Sequence, residues 1–255
     1  MNLASQQLPR SRASYFLPPG RQSILSPEGI PLTMQIGMVG LDGIVLASDT
    51  QATHTPKRLA DGMTGRAVRY HTNCSKIVTS GEIAVSYARD MKSGENVAST
   101  ILSSFISDDP QEAIERIAAS IPVDNRYDVQ GLIANPPYQL FRFQIATIDG
   151  IWTATCNPSP GVDFAGDMTN AAMYWATRYY DELFTIEQLL PLAAYFITCS
   201  HHLNTAGVGG LEIVVCDSSG INSLSRERVL ELKRQTKNTD RQVQQLLFGQ
   251  GAPLS

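Results

Sequence analysis

The sequence lacks any apolar run as long as the roughly 18 residues that a membrane-spanning helix requires. No apolar stretch of signal-peptide length follows the arginines near the amino end. Positive charge is not in excess either, because 20 Lys and Arg residues stand against 24 Asp and Glu residues and give a net charge of −4. These absences argue against a membrane protein and against an electrostatic nucleic-acid binder, and they predict a globular cytoplasmic protein.

Paired cysteines and the common catalytic motifs are also missing. The four cysteines are widely separated and form no Cys-x-x-Cys pair, so we expect them to be reduced and to serve as small hydrophobic residues. His201 and His202 are adjacent and point about 100° apart on a helix, unlike metal ligands four residues apart. The motifs of serine hydrolases, zinc peptidases, P-loops and dinucleotide-binding folds do not occur. The sequence therefore predicts no metal and no cofactor.

The first 31 residues differ in composition from the rest of the chain. They contain five of the 14 prolines and no lysine, and this density of breakers leaves no regular hydrophobic period. We therefore expect residues 1–32 to be a disordered extension, a propeptide or a misassigned translation start. Residues 33–255 are expected to form one compact domain.

The domain begins with strands and continues with helices. Two apolar runs flank Asp42-Gly43, which is a strong hairpin signal, and a second hairpin is predicted around Ser80-Gly81. Two helices follow, with Ser93 and Asp109-Pro110 as their predicted caps. An antiparallel set of strands then turns at Asp149-Gly150.

The second half repeats this order. Helices are predicted over about 168–180 and 186–202, a strand over 211–216 and a charged helix near 227–237. Strands and helices occur in blocks and do not alternate as in a doubly wound fold. The order predicts an α+β fold, a four-layer αββα sandwich in which two antiparallel sheets are flanked by helices.

The segment from Thr33 to Asp49 is an apolar strand, a Gly/Asp turn, a second apolar strand and an aspartate. It resembles the first strands of proteasome β-type subunits and their bacterial relatives, in which a threonine begins the mature chain. Lys76 falls where that family has a lysine, after an insertion of several residues. The segments 164–167 and 209–220 are also similar, so the resemblance spans most of residues 33–255.

The resemblance implies an N-terminal-nucleophile (Ntn) hydrolase fold and threonine-type endopeptidase activity on peptides or proteins. It also implies assembly into a homo-oligomeric ring or stacked rings. The helices at 93–105 and 168–180 are the expected contact surfaces, and whether an ATPase unfoldase is a partner is unknown.

The three residues also have a chemical interpretation that does not depend on the family. A threonine hydroxyl is a poor nucleophile unless a base removes its proton. If Thr33 is the first residue, its own α-amine, with a reference pKa of about 7.7–8.0, can be that base. The ammonium group of Lys76 would favour the alkoxide, and Asp49 would orient Lys76 and keep it charged. Alternatively, the three are an ordinary strand residue, a turn former and an edge-strand charge.

The chain departs from the family pattern at several positions. Leu32 replaces the glycine that precedes the processed threonine. Arg89 lies where the family has an oxyanion-hole glycine, and its backbone N–H remains a candidate oxyanion donor. Asp167 replaces a serine and is interpreted as a helix cap in preference to a catalytic helper. Residues 204–208 lack the family's helper aspartate and serine.

Four functions remain open at this point. The favoured one is a threonine peptidase whose active form begins at Thr33, either by self-cleavage or because translation starts at position 32. The alternatives are a catalytically inactive proteasome-like structural subunit, an Ntn amidase that acts on a small amide, and an unrelated ligand-binding sandwich.

Overall fold

The computed structural model describes residues 33–54, 70–104, 109–135, 138–203 and 208–248. The predicted extension at 1–32 and the helper positions at 204–207 therefore lie outside the described residues. A domain boundary at residue 32 stays a prediction, as does a cytoplasmic location. In the described ranges, no helix combines the length and the apolar character that a membrane crossing requires.

Strands and helices follow one another in the predicted blocks. In the described ranges the strands are β1 (Met34–Gly40), β2 (Gly43–Ser48), β3 (Gln51–His54), β4 (Tyr70–Asn73), β5 (Ile77–Thr79), β6 (Ala84–Arg89), β7 (Val129–Asn135), β8 (Gln139–Ile148), β9 (Ile151–Ser159), β10 (Val162–Gly166), β11 (Glu212–Asp217) and β12 (Gly220–Ser223). The α-helices are α1 (Met91–Ser104), α2 (Pro110–Ser120), α3 (Ala172–Tyr179), α4 (Ile186–Leu203) and α5 (Arg226–Phe248).

Ten of these strands form two five-stranded antiparallel sheets, and β3 pairs with β4 in a separate ribbon. The first sheet has the order β10-β1-β2-β11-β12, and the second has the order β5-β6-β7-β8-β9. The predicted turn at Asp42-Gly43 joins β1 to β2, and the resulting register places Gln35 opposite Ser48. The residues that precede β1 and follow β2 consequently lie side by side.

Three hydrophobic clusters define the layers. The cluster between the sheets contains residues of both, such as Leu46 of β2 and Leu132 of β7. The outer face of the first sheet packs against α3, α4 and α5, and the outer face of the second packs against α1 and α2. These layers confirm the predicted αββα sandwich.

The turn between β1 and β2 also fixes the start of α4. The side chain of Asp42 accepts a hydrogen bond from the backbone N–H of Ile186 at 2.7 Å, and the N–H of Leu41 donates to the carbonyl of Phe184 at 2.9 Å. An acidic side chain at a helix amino terminus satisfies a free N–H and interacts favourably with the helix dipole. The turn that aligns β1 with β2 therefore also anchors the longest buried helix.

Some local predictions are wrong. The cap of α1 is Asp90, whose carboxylate accepts the N–H of Ser93 at 2.8 Å, whereas Ser93 was predicted to be the cap. The helix predicted from about residue 168 begins only at Ala172, because residues 168–169 form a turn. By contrast, Asp109 caps α2 with Pro110 in the first turn, as predicted.

The apolar row of α1 faces inward. Val97 and Ile101 are buried against the second sheet, so this row is not the exposed contact surface that the sequence suggests. On α3, three aromatic side chains are exposed: Tyr174, Trp175 and Tyr179.

Replacement of Gly131 by alanine tests the close approach of β6 and β7. A Cβ atom at Gly131 would lie 1.9 Å from the carbonyl oxygen of Ser86 and 2.7 Å from the ring of Phe143. We expect Gly131→Ala to lower the free energy of unfolding by about 1–3 kcal/mol or more, because the strands must separate. Urea denaturation measures this loss.

The control is Gly81→Ala in the turn between β5 and β6, where an added Cβ meets no atom within 4 Å. Its effect should stay within about 0.5 kcal/mol. Equal effects at the two positions would contradict the packing described for β6 and β7.

Candidate active site

Thr33 immediately precedes β1 and is only 4% exposed. Its hydroxyl oxygen Oγ1 accepts a hydrogen bond from Nζ of Lys76 at 3.0 Å. Its carbonyl accepts the N–H of Asp167 at 2.9 Å, so both the side chain and the backbone of Thr33 are held in place.

Asp49 lies directly after β2 and is fully buried. Its carboxylate accepts three hydrogen bonds: Oδ1 accepts the N–H of Met34 at 2.9 Å, and Oδ2 accepts the N–H of Gln51 at 3.1 Å and Nζ of Lys76 at 2.8 Å. The bond from Met34 follows from the β1–β2 register, which places the end of β2 beside the start of β1. Asp49 is thereby fixed next to Thr33.

Lys76 reaches this pair from the other sheet. It directly precedes β5 and is 3% exposed, and its ammonium group contacts both Asp49 and Thr33. Two charges removed from water remain stable only when they are paired and their hydrogen-bonding capacity is satisfied. Burial raises the pKa of the Asp49 carboxyl group, and the charge of Lys76 opposes that rise. The structure thus brings together the three residues that the sequence selects.

Gly166 allows the backbone of Thr33 to come this close. It has a φ of +106°, and a Cβ atom there would lie 1.7 Å from the carbonyl oxygen of Thr33. Gly166 also pairs with Met34 in the β1–β10 register, and its carbonyl accepts Nε2 of Gln130 at 2.8 Å. A residue with a side chain cannot occupy this position without moving Thr33.

Gln35 links the two sheets beside the site. Its Nε2 donates to the carbonyl of Tyr87 at 2.6 Å, and its Oε1 accepts the hydroxyl of Ser86 at 3.0 Å. Ser86 in turn accepts the N–H of Leu132 at 3.1 Å. A buried network whose members are all paired gives a well-defined relative position to the strands that it joins. Gln35 therefore sets β1 against β6, close to the point where Lys76 must meet Thr33.

Arg89 does not join this cluster through a hydrogen bond. It ends β6, and within the described residues no hydrogen bond links it to Thr33, Asp49 or Lys76. Its φ of +81° lies in the left-handed region that favours glycine. An arginine thus occupies a backbone conformation typical of glycine, and its backbone N–H as an oxyanion donor stays a prediction.

The side chain of Asp167 stabilises a turn. Its Oδ1 accepts the N–H of Thr169 at 3.0 Å and the hydroxyl of the same residue at 2.6 Å. The helix-cap interpretation needs correction, because α3 begins at Ala172 after an Ala171 cap that makes no side-chain bond. Asp167 contacts Thr33 through its backbone N–H.

The sequence did not reveal that a carboxylate, that of Glu212, binds the backbone of Lys76. Glu212, the first residue of β11, accepts hydrogen bonds from the hydroxyl of Ser75 at 2.8 Å and from the backbone N–H of Lys76. Burial raises its pKa. The available signal was a carboxylate at the start of an otherwise apolar strand.

No metal centre accompanies this site in the described residues, where no group of three or more His, Cys, Asp or Glu is arranged to hold an ion. The four cysteines are free thiols, two of them buried and two partly buried: Cys156, Cys216, Cys74 and Cys199.

Comparison with solved structures identifies the fold. The chain is similar to Anbu (ancestral beta-subunit) from Yersinia bercovieri, with a TM-score of 0.54 and 11% identity over 87% of this chain and 99% of that one. It is also similar to an Anbu (Gly-1) mutant from Hyphomicrobium sp. strain MC1, with a TM-score of 0.54 and 14% identity over 88% and 99% of the two chains. These likenesses show that the chain has the fold of the Anbu proteins.

The family assignment made from the sequence needs correction. No protein-family model matches the chain, and no curated protein matches it significantly. The structural neighbours reported above are Anbu proteins, so the assignment to proteasome β-type subunits is wrong. The pattern from Thr33 to Asp49 belongs to a fold that Anbu proteins also have.

Replacement of Gly166 by alanine tests the contact that holds Thr33. The left-handed conformation costs a residue with a side chain about 1–2 kcal/mol, and at Gly166 the clash with the Thr33 carbonyl adds to that cost. We expect Gly166→Ala to destabilise the protein by more than 2 kcal/mol, as measured by urea denaturation.

Gly150→Ala is the matched control. Gly150 has a φ of +81°, but a Cβ atom there meets nothing within 4 Å. It should show the conformational cost alone. If Gly166→Ala were no more destabilising than Gly150→Ala, the close approach of β10 to Thr33 would be refuted.

Proposed function

We propose that this chain is an amide hydrolase whose nucleophile is the hydroxyl group of Thr33, and that its substrates are peptides. The observation that supports this proposal is the buried contact from Asp49 through Lys76 to Thr33 Oγ1. The ammonium group that Asp49 holds is directed at the hydroxyl oxygen of the proposed nucleophile. This arrangement lowers the free energy of a negatively charged Thr33 oxygen.

The proposed reaction has two steps. The α-amine of Thr33 accepts the hydroxyl proton as Oγ1 attacks the carbonyl carbon of the substrate, and the proton passes to the departing amine, which leaves an ester on Thr33. A water molecule then attacks the ester and releases the acid, and the proton returns to Oγ1. Lys76 stabilises the developing alkoxide in both steps, and Asp49 keeps Lys76 oriented.

This scheme requires a free amine on Thr33, because an amide nitrogen cannot accept a proton at neutral pH. We therefore propose that the active form begins at Thr33 and that residues 1–32 are absent from it. Removal by self-cleavage and translation from position 32 both lead to this form.

Replacement of Thr33 tests the nucleophile. We expect Thr33→Ala to lose at least about 10³-fold in kcat/KM, because no other group in the cluster can carry the acyl intermediate. Thr33→Ser keeps the hydroxyl and should stay within about 30-fold of the native protein. A panel of fluorogenic peptide amides gives the rates.

Thr100→Ala on the exposed face of α1 is the control for a threonine change that does not touch the site. Peptide hydrolysis that continues unchanged in Thr33→Ala would contradict the proposed mechanism.

We also propose that copies of this chain associate through α3. The rings of Tyr174 and Trp175 lie 5.2 Å apart, and those of Trp175 and Tyr179 lie 6.0 Å apart and are stacked. All three are exposed in the single chain, and exposed aromatic clusters are typical of protein interfaces. The similar Anbu protein from Yersinia bercovieri is called a subunit, which favours a second copy of the chain as the occupant.

A charge placed in this aromatic cluster tests the assembly. We expect the native protein to be an oligomer at micromolar concentration and Trp175→Asp to shift it to the monomer mass, because a buried unpaired charge is costly. Light scattering after size exclusion reports the masses. Val123→Asp, at another exposed apolar position, should leave the oligomer intact, and a monomeric native protein would contradict the proposal.

A further inference from the structure

We infer that Glu212 is a positioning residue that sets Lys76 against Thr33 by holding the backbone of Lys76, an inference that rests on the proposed function. Glu212 begins β11 in the first sheet, where it lies opposite Ser48 of β2. Its carboxylate crosses to the segment that leads into β5 of the second sheet. It accepts the hydroxyl of Ser75 at 2.8 Å and the N–H of Lys76 itself.

These contacts connect the lysine to the sheet that carries its targets. Thr33 and Asp49 adjoin β1 and β2 of the first sheet, whereas Lys76 adjoins β5 of the second. Any sliding of one sheet over the other would change the contacts of 3.0 and 2.8 Å that the ammonium group makes. Glu212 prevents such sliding at Lys76, since β11 pairs directly with β2.

Tyr87 holds the same segment from the second sheet. Its hydroxyl donates to the carbonyl of Ser75 at 3.0 Å, and its N–H donates to the carbonyl of Lys76 at 3.0 Å. The backbone of Lys76 is thus fixed on its carbonyl side by Tyr87 and on its N–H side by Glu212. A misplacement of about 1 Å at a catalytic group can cost about 10²-fold in rate.

Two substitutions of Glu212 separate the effect of its side-chain length from the effect of its charge. A glutamine has the same length, so its amide oxygen can accept the N–H of Lys76 and its NH₂ group can donate to the hydroxyl of Ser75. In that variant the single proton of the Ser75 hydroxyl can turn to the carbonyl of Ile77, 2.9 Å away, so that the hydroxyl oxygen accepts from the glutamine. An aspartate keeps the charge but is one methylene shorter. If Glu212 acts by position, glutamine should replace it and aspartate should not.

The experiment measures how fast Thr33 is labelled by a peptide vinyl sulfone. Thr33 Oγ1 bonds to the vinyl carbon farther from the sulfone and its proton ends on the carbon next to the sulfone, so nothing leaves and the mass rises by that of the whole probe. Intact mass over time gives the second-order rate constant, and peptide mapping gives the modified residue. Thermal unfolding of every variant shows whether it is folded.

We expect Glu212→Ala and Glu212→Asp to be labelled about 10- to 100-fold more slowly than the native protein, and Glu212→Gln to stay within about threefold. In a Lys76→Ala background, Glu212→Ala should cause no further loss, because its effect passes through Lys76. A merely structural role would instead add its effect in that background.

Two results would overturn the inference. One is a Glu212→Ala or Glu212→Asp variant that is folded and labelled at the native rate. The other is a further loss from Glu212→Ala that is as large in the Lys76→Ala background as in the native one. Failure of the proposed function appears differently, as equal labelling of the native protein and of Thr33→Ala.

Discussion

The ion pair between Lys76 and Asp49 is the interaction on which the site depends. Both side chains are buried, and their contact of 2.8 Å joins the two sheets of the sandwich. Such a pair is tolerated because the backbone supplies the remaining hydrogen bonds to Asp49. A second donor of Lys76 is directed at Thr33 Oγ1. The buried ion pair thus places a positive charge beside the hydroxyl oxygen of Thr33.

Several parts of the fold position the residues that make this contact. The β1–β2 register brings Asp49 next to Thr33, and Gly166 lets β10 approach the Thr33 backbone. Gln35 and Glu212 connect the first sheet to the second, through Tyr87 and through the backbone of Lys76. Because these connections come from strands far apart in the sequence, the site exists only when both sheets have formed and packed.

The sequence predicts those parts of the structure that short-range patterns encode. The hairpin at Asp42-Gly43, the Asp109 cap and the block order of strands and helices follow from turn chemistry and hydrophobic period. The convergence of Thr33, Asp49 and Lys76 was predicted through a resemblance whose family assignment proved wrong while its spacing was informative. Glu212 and Gln35 could not be found in this way, since their partners are set by the packing of two sheets.

Whether Thr33 carries a free α-amine decides whether this buried cluster can catalyse hydrolysis. With a free α-amine on Thr33 the site has both a base and a nucleophile, whereas an acylated Thr33 has no base in the proposed scheme. The most direct measurement is the intact mass and amino-terminal sequence of the hydrolytically active protein purified from its native host. The account predicts a chain that begins at Thr33. An active protein that retains residues 1–32 would contradict it.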